Sequence, residues 1–179
     1  RVTSDNVLGL LPGTDPQLAD EVIVLTAHLD HVGIGRAVNG DSIYNGAMDN
    51  ASGTALLMEM ARRLQESGAR LRRSVLFAAV TAEEKGLLGS RYLANHPTVK
   101  ANRIVANLNT DMFMPIVPLT LVMVNGLEES ELAADARAAG EAMGDGTVRQ
   151  EVELVAADGT AWTAEDFLRA GPDGTLKII

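Results

Sequence analysis

Thr26-Ala27-His28-Leu29-Asp30-His31 closes an apolar run, Val22-Ile23-Val24-Leu25, and this junction organises the rest of the chain. The run reads as a buried strand. A His and an Asp two residues apart at its end project from one face. In that spacing an imidazole can bind a metal while a neighbouring carboxylate fixes the site around it. Two further segments repeat the pattern. Ser74 to Thr81 is a second buried strand and leads into Glu83-Glu84; Ile104 to Asn109 is a third and leads to Asp111.

Helical stretches alternate with these strands. Leu57, Met60, Ala61 and Leu64 follow helical spacing, which predicts a helix from about residue 50 to 66, capped by Asp49 or Asn50. Further helices are expected over 86–95 and, Ala-rich, over 129–143. Weaker strand signals lie at 7–10, 119–124 and 152–155. A short helix is expected at 164–168, ahead of an apolar end at 176–179. Residues 32–48, with Gly33, Gly35, Gly40 and Gly46, read as one long Gly/Asn-rich loop, a kind of segment that is usually functional. The expected fold class is α/β: a three-layer sandwich with a mostly parallel central sheet flanked by helices.

In such sheets the ligand site lies beyond the carboxyl ends of the strands. That rule gathers His28, Glu83-Glu84 and Asp111 on one rim, and Asp49, at a helix start, can fold over the same edge. Adjacent carboxylates after a buried strand repel each other unless a cation or proton relieves them. In a hydrolytic site one Glu would bind metal and its neighbour would take a proton from water. His31 reads as an ordinary loop residue.

Composition narrows the classes. The apolar fraction of 46% and charged fraction of 22% are those of a globular domain with a real core. The net charge is −9 and the basic residues cluster only at Arg70, Arg72 and Arg73, which argues against nucleic acid as a partner. No apolar run is long enough to span a membrane. Cysteine is absent, so disulfides and thiolate ligands are excluded and a metal must be held by His, Asp or Glu. The same absence fits an exported protein.

Four motifs occur in order: Thr-Ala-His28-Leu-Asp30-His31, then Asn45-Gly-Ala-Met-Asp49-Asn-Ala-Ser-Gly53, then Thr81-Ala-Glu83-Glu84-Lys-Gly-Leu-Leu-Gly-Ser90, then Asn107-Leu-Asn-Thr-Asp111-Met112. Together they closely resemble the M28 family of zinc metallopeptidases, mostly aminopeptidases with two zinc ions. The resemblance covers about residues 4–143. It implies that His28 and Asp111 bind one zinc, that Asp49 bridges both, and that Glu84 binds the other. Glu83 would be the general base and Asp30 the carboxylate that supports His28. The implied reaction is hydrolysis of N-terminal peptide bonds by a metal-bound water, with peptides bearing a free N-terminus as partners and a secreted or periplasmic location.

The family pattern also has a second histidine ligand near the carboxyl end. The three histidines here are His28, His31 and His96, and the resemblance fades from about Gly144. Residues 1–179 therefore read as a single M28-like domain, open to being incomplete after about residue 143. On this count the second zinc has only Glu84 and the shared Asp49, so one tightly held zinc and one weakly held zinc are expected. Two alternatives stay open: an impaired or non-catalytic relative lacking the last histidine ligand, and a related dizinc carboxypeptidase or deacylase.

Overall fold

A computed structural model of the chain describes residues 3–112, 121–126, 129–142, 147–149, 154–155 and 161–162. The chain divides into two compact units, Arg1–Ile116 and Val117–Ile179. The first unit is built on a four-stranded sheet of β1 (Val7–Leu11), β2 (Val22–His28), β5 (Ser74–Val80) and β6 (Ile104–Asn109), in the order β1-β5-β2-β6. The apolar runs at 22–28, 74–80 and 104–109 pair in parallel, and β1 joins β5 antiparallel at the edge. The sheet is thus mostly parallel, as the alternation of strands and helices predicts.

Both faces of the central strands are apolar because both are covered. On one face Leu25, Ala27 and Val75 pack with Leu57 and Met60 of α1 (Ser52–Glu66). On the other, Val22, Val24, Leu76, Ala78 and Val80 pack with Leu93 of α2 (Leu88–Asn95). The period of two along each strand sends alternate residues to opposite helices, which gives the three layers. Leu57 is 4% exposed, a burial that contributes about 2 kcal/mol. The outer face of α1 carries a charged ladder in which Glu59 bonds Arg62 and Arg63. Those two guanidinium groups hold the Glu59 carboxyl down at about 2.

The stretch 32–48 differs from the single loop expected of it. It contains a hairpin, β3 (Gly33–Val38) and β4 (Asp41–Tyr44), with Val38 opposite Asp41. The two-residue connection is Asn39-Gly40, with φ of 52° and 88°. Positive φ at both central residues is what a tight hairpin turn requires, and Asn-Gly supplies it with little strain.

In the second unit β7 (Leu121–Met123) pairs in parallel with β8 (Thr147–Arg149), and α3 (Leu132–Ala142) connects them. A two-stranded antiparallel pair follows, β9 (Leu154–Val155) with β10 (Ala161–Trp162). The helix expected at 164–168 and the apolar end at 176–179 lie outside the described residues.

Candidate metal centre

β2 carries His28 to the carboxyl edge of the sheet, where it is 3% exposed. The Thr54 hydroxyl of α1 donates to the His28 carbonyl at 3.1 Å and pins the strand end. The ring Nδ1 lies 2.9 Å from the backbone carbonyl of Asp30. A carbonyl only accepts, so Nδ1 donates, and in the neutral ring Nε2 is left with its lone pair free. That Nε2 faces Asp49 Oδ1 at 3.0 Å and Asp111 Oδ1 at 3.4 Å.

Asp30 supports His28 through its backbone rather than through its side chain. Its carboxylate Oδ1 is 3.8 Å from Nδ1, beyond hydrogen-bond reach. The carboxylate instead accepts the backbone N–H of Glu83 at 3.0 Å and that of Glu84 at 3.3 Å. One residue thereby ties the end of β2 to the turn after β5. Within that turn Ala82 has φ of 53°, a left-handed conformation uncommon outside glycine. Glu83 and Glu84 have different neighbours. Glu83 lines a cavity of about 510 Å³ together with His28 and Asp111. Glu84 Oε1 lies 2.8 Å from Nδ1 of His31.

Asp49 sits between these groups. Its Oδ1 faces His28 and its Oδ2 lies 3.7 Å from His31 Nδ1. It is free to do so because helix capping falls to Asn50. Asn50 Oδ1 accepts the N–H of Gly53 at 2.9 Å, and the Ser52 hydroxyl donates to the Met48 carbonyl at 2.6 Å. Asn50, 1% exposed, also donates from Nδ2 to the Thr110 carbonyl at 3.0 Å. It therefore joins the turn of Asp49 to the turn of Asp111. Gly53 leaves room for this bridge: a Cβ there would lie 2.3 Å from Asn50 Oδ1 and 2.7 Å from the Thr110 oxygen. Gly53→Ala should therefore destabilise the fold by about 1–3 kcal/mol, read as a lower midpoint in urea. An unchanged midpoint would mean that the Asn50 bridge contributes little.

Two overlapping groups of ligand atoms result: His28, Asp49 and Asp111, and His31, Asp49 and Glu84, with the atoms of each within 4.8 Å of one another. His28, Asp49, Glu84 and Asp111, expected to meet from four separate motifs, are thus brought together, with Glu83 and Asp30 beside them. His31, read from sequence as a plain loop residue, joins them. His96 does not; it stacks on Tyr92 at the end of α2, ring centroids 4.4 Å apart.

The donor set fits zinc. Imidazole nitrogen and carboxylate oxygen are its ligands when thiolates are absent. His31 Nδ1 and Glu84 Oε1 are buried and without a hydrogen-bond partner, a pairing that a cation between them would satisfy. Electrostatics point the same way. Burial works against charged His28, yet the Asp30 carbonyl and the charges of Asp111, Glu83 and Asp49 outweigh it and raise its pKa above the ordinary 6.5. In the metal-free chain protonated His28 thus stabilises the fold. That contribution is complete below about pH 6.5 and is lost as pH rises through the higher folded value. Melting temperatures of chelator-stripped protein should fall over that window, and the fall should be smaller in His28→Gln. An identical profile in the variant would show that His28 is not the group responsible.

A family model described as peptidase family M28 matches residues 6–170. A probable zinc metalloprotease of Pyrenophora tritici-repentis is 38% identical over 112 residues, covering 62% of this chain and 22% of that protein. Aminopeptidase YwaD of Bacillus subtilis is 35% identical over 111 residues, covering 62% of this chain and 22% of its own length. The solved structure of BSAP, a zinc aminopeptidase from Bacillus subtilis, superposes with a TM-score of 0.60 at 29% identity, covering 80% of this chain and 33% of that one. The chain thus spans about a fifth of these curated relatives and a third of the solved neighbour. The sheet order, the His and carboxylate rim and the match over 6–170 agree, and the chain belongs to peptidase family M28.

Proposed function

We propose that this chain carries the metal centre of a zinc-dependent aminopeptidase that hydrolyses N-terminal peptide bonds. The observation that carries the reading is the position of Asp49, whose two oxygens face two separate groups of ligand atoms. Two metals in such sites lie about 3.5–4 Å apart, a separation one carboxylate can bridge. His28, Asp49 and Asp111 would hold one zinc, and Asp49 with Glu84 would contribute to the other. Zinc held there supplies Lewis acidity and brings the pKa of a water to about 7.

The chain's own residues then divide the work. Glu83 takes the proton of the attacking water and returns it to the leaving amine. Asp30 holds the Glu83 backbone and, through its carbonyl, the His28 ring, so base and metal ligand keep a fixed separation. The cavity beside Glu83 is lined by Val24, Leu76, Val80 and Leu93, which keeps bulk water from one side of the site. We place the protein in a secreted or periplasmic location on its membership of peptidase family M28.

Assay of the zinc-loaded protein against amino-acid anilides, N-acylated amino acids and carboxyl-terminal dipeptides tests the reaction. Cleavage of the anilides alone is expected. Cleavage confined to either other class would assign the same metal centre to a deacylase or carboxypeptidase, and no cleavage with zinc bound would favour a non-catalytic relative.

A further inference from the structure

We infer that Asn6, the residue before β1, is the positioning residue of the turn that carries Glu83 and Glu84. The value of that hold for catalysis rests on the aminopeptidase reading above; the hold itself does not.

The contacts of Asn6 are the first support. Its Oδ1 accepts the backbone N–H of Thr81 at 3.0 Å, and its Nδ2 donates to the Gly89 carbonyl at 2.9 Å. Only this orientation of the amide matches a donor and an acceptor at once. Thr81 directly follows β5, and Gly89 lies in the first turn of α2. One side chain therefore spans both ends of the turn. The β1–β5 ladder begins with Val7 opposite Ala79, so Thr81 lies past its last pair. Thr81 is buried, and without Asn6 its N–H would lose its partner away from water.

The second support is the closeness of the joint. The Gly89 N–H donates to the Thr81 carbonyl at 2.9 Å and closes the base of the turn. A Cβ at Gly89 would lie 2.2 Å from that carbonyl oxygen and 2.6 Å from Asn6 Oδ1. Helix start and strand end thus meet through backbone alone, with Asn6 laid across them.

The third support is the conformation of the turn. Ala82 at φ 53° and Leu87 at φ 61° flank the two glutamates. Left-handed residues that carry a Cβ are costly and persist where the surroundings over-determine them. The Asp30 carboxylate grips the N–H groups of Glu83 and Glu84. Asn6 fixes the base of the same turn. It is not among the residues lining the cavity beside Glu83, so its influence on the reaction passes through the turn.

Amide hydrogen exchange of the 179-residue chain, resolved by NMR, tests the hold in Asn6→Ala and Asn6→Asp. The aspartate variant keeps the acceptor for the Thr81 N–H and sets a carboxylate against the Gly89 carbonyl, so it serves if the alanine variant does not fold. The amides of Glu83, Glu84, Leu87, Leu88 and Gly89 should exchange about 10–100-fold faster, while those of Val24 and Leu76 stay within roughly threefold. Equal acceleration in turn and core would make Asn6 a stabiliser of the whole fold, and unchanged exchange in the turn would show that the turn holds itself; either result overturns the inference. In the zinc-loaded protein Asn6→Asp should lower kcat about 10-fold or more with KM unchanged, and should cost nothing further in Glu83→Gln. The same loss persisting in Glu83→Gln would overturn the route through Glu83. A wild type without turnover would overturn the aminopeptidase reading alone, because the exchange rates judge Asn6 without it.

Discussion

Glu83→Gln is expected to lower turnover by roughly 10²–10⁴-fold while leaving zinc content unchanged. The amide keeps the size of the side chain but cannot accept a proton from water at neutral pH. Glu83 lines the cavity with His28 and Asp111, yet belongs to neither group of ligand atoms. Its backbone N–H is held by Asp30 at 3.0 Å, and this contact survives the substitution. The expected signature is a fall in kcat with little change in KM, since the substrate's amine and carbonyl would be held elsewhere. Glu84→Gln makes the useful contrast, because it should reduce zinc content as well as rate. Unchanged turnover in metal-replete Glu83→Gln would assign the proton transfer to another group.

The sheet was legible because its signal is local and strong. Val22–Leu25 and Ser74–Val80 are apolar on both faces, the pattern of a strand covered on both sides, and Ile104–Asn109 adds a third apolar stretch at the edge. Once the strands are parallel, the rule that ligands gather beyond their carboxyl ends brings His28, Glu84 and Asp111 together without further information. What the sequence left hidden depends on contacts between loops. The Asn39-Gly40 hairpin carries a sequence signal, and reading it would have divided the 32–48 stretch correctly. His31 carries none, since its position depends on Gly46 and Tyr44, residues whose approach to the ring follows from the hairpin's register. The support from Asp30 was legible as a residue and not as an atom. Spacing puts Asp30 beside His28, but whether carbonyl or carboxylate reaches the ring is decided by the turn at Ala82, which offers the carboxylate two backbone N–H groups.

Asp49→Ala should strip both zinc positions at once, with each affinity falling by at least about 100-fold, and should leave the metal-free fold at least as stable as before. Both halves follow from the same geometry. Asp49 is the one residue common to the two groups, with Oδ1 at 3.0 Å from His28 and Oδ2 at 3.7 Å from His31. Its loss would leave the first position His28 and Asp111 and take from the second the carboxylate it shares, where a catalytic zinc usually has three protein ligands. Residues that merely orient a ligand are worth 10–100-fold in affinity, so removing a shared ligand costs more. Above the pH at which His28 loses its proton, stability moves the other way because, without metal, Asp49 adds negative charge beside Asp111 and Glu84, and like charges at close range disfavour one another. Helix α1 keeps its start, since Asn50 Oδ1 accepts the Gly53 N–H there. Metal analysis after dialysis, paired with melting curves in chelator, reads both effects. One zinc retained at wild-type affinity would show that Asp49 serves a single position, and a collapse of the metal-free fold would make it a structural residue first. His28→Ala provides the reference, since it should remove only one of the two ions.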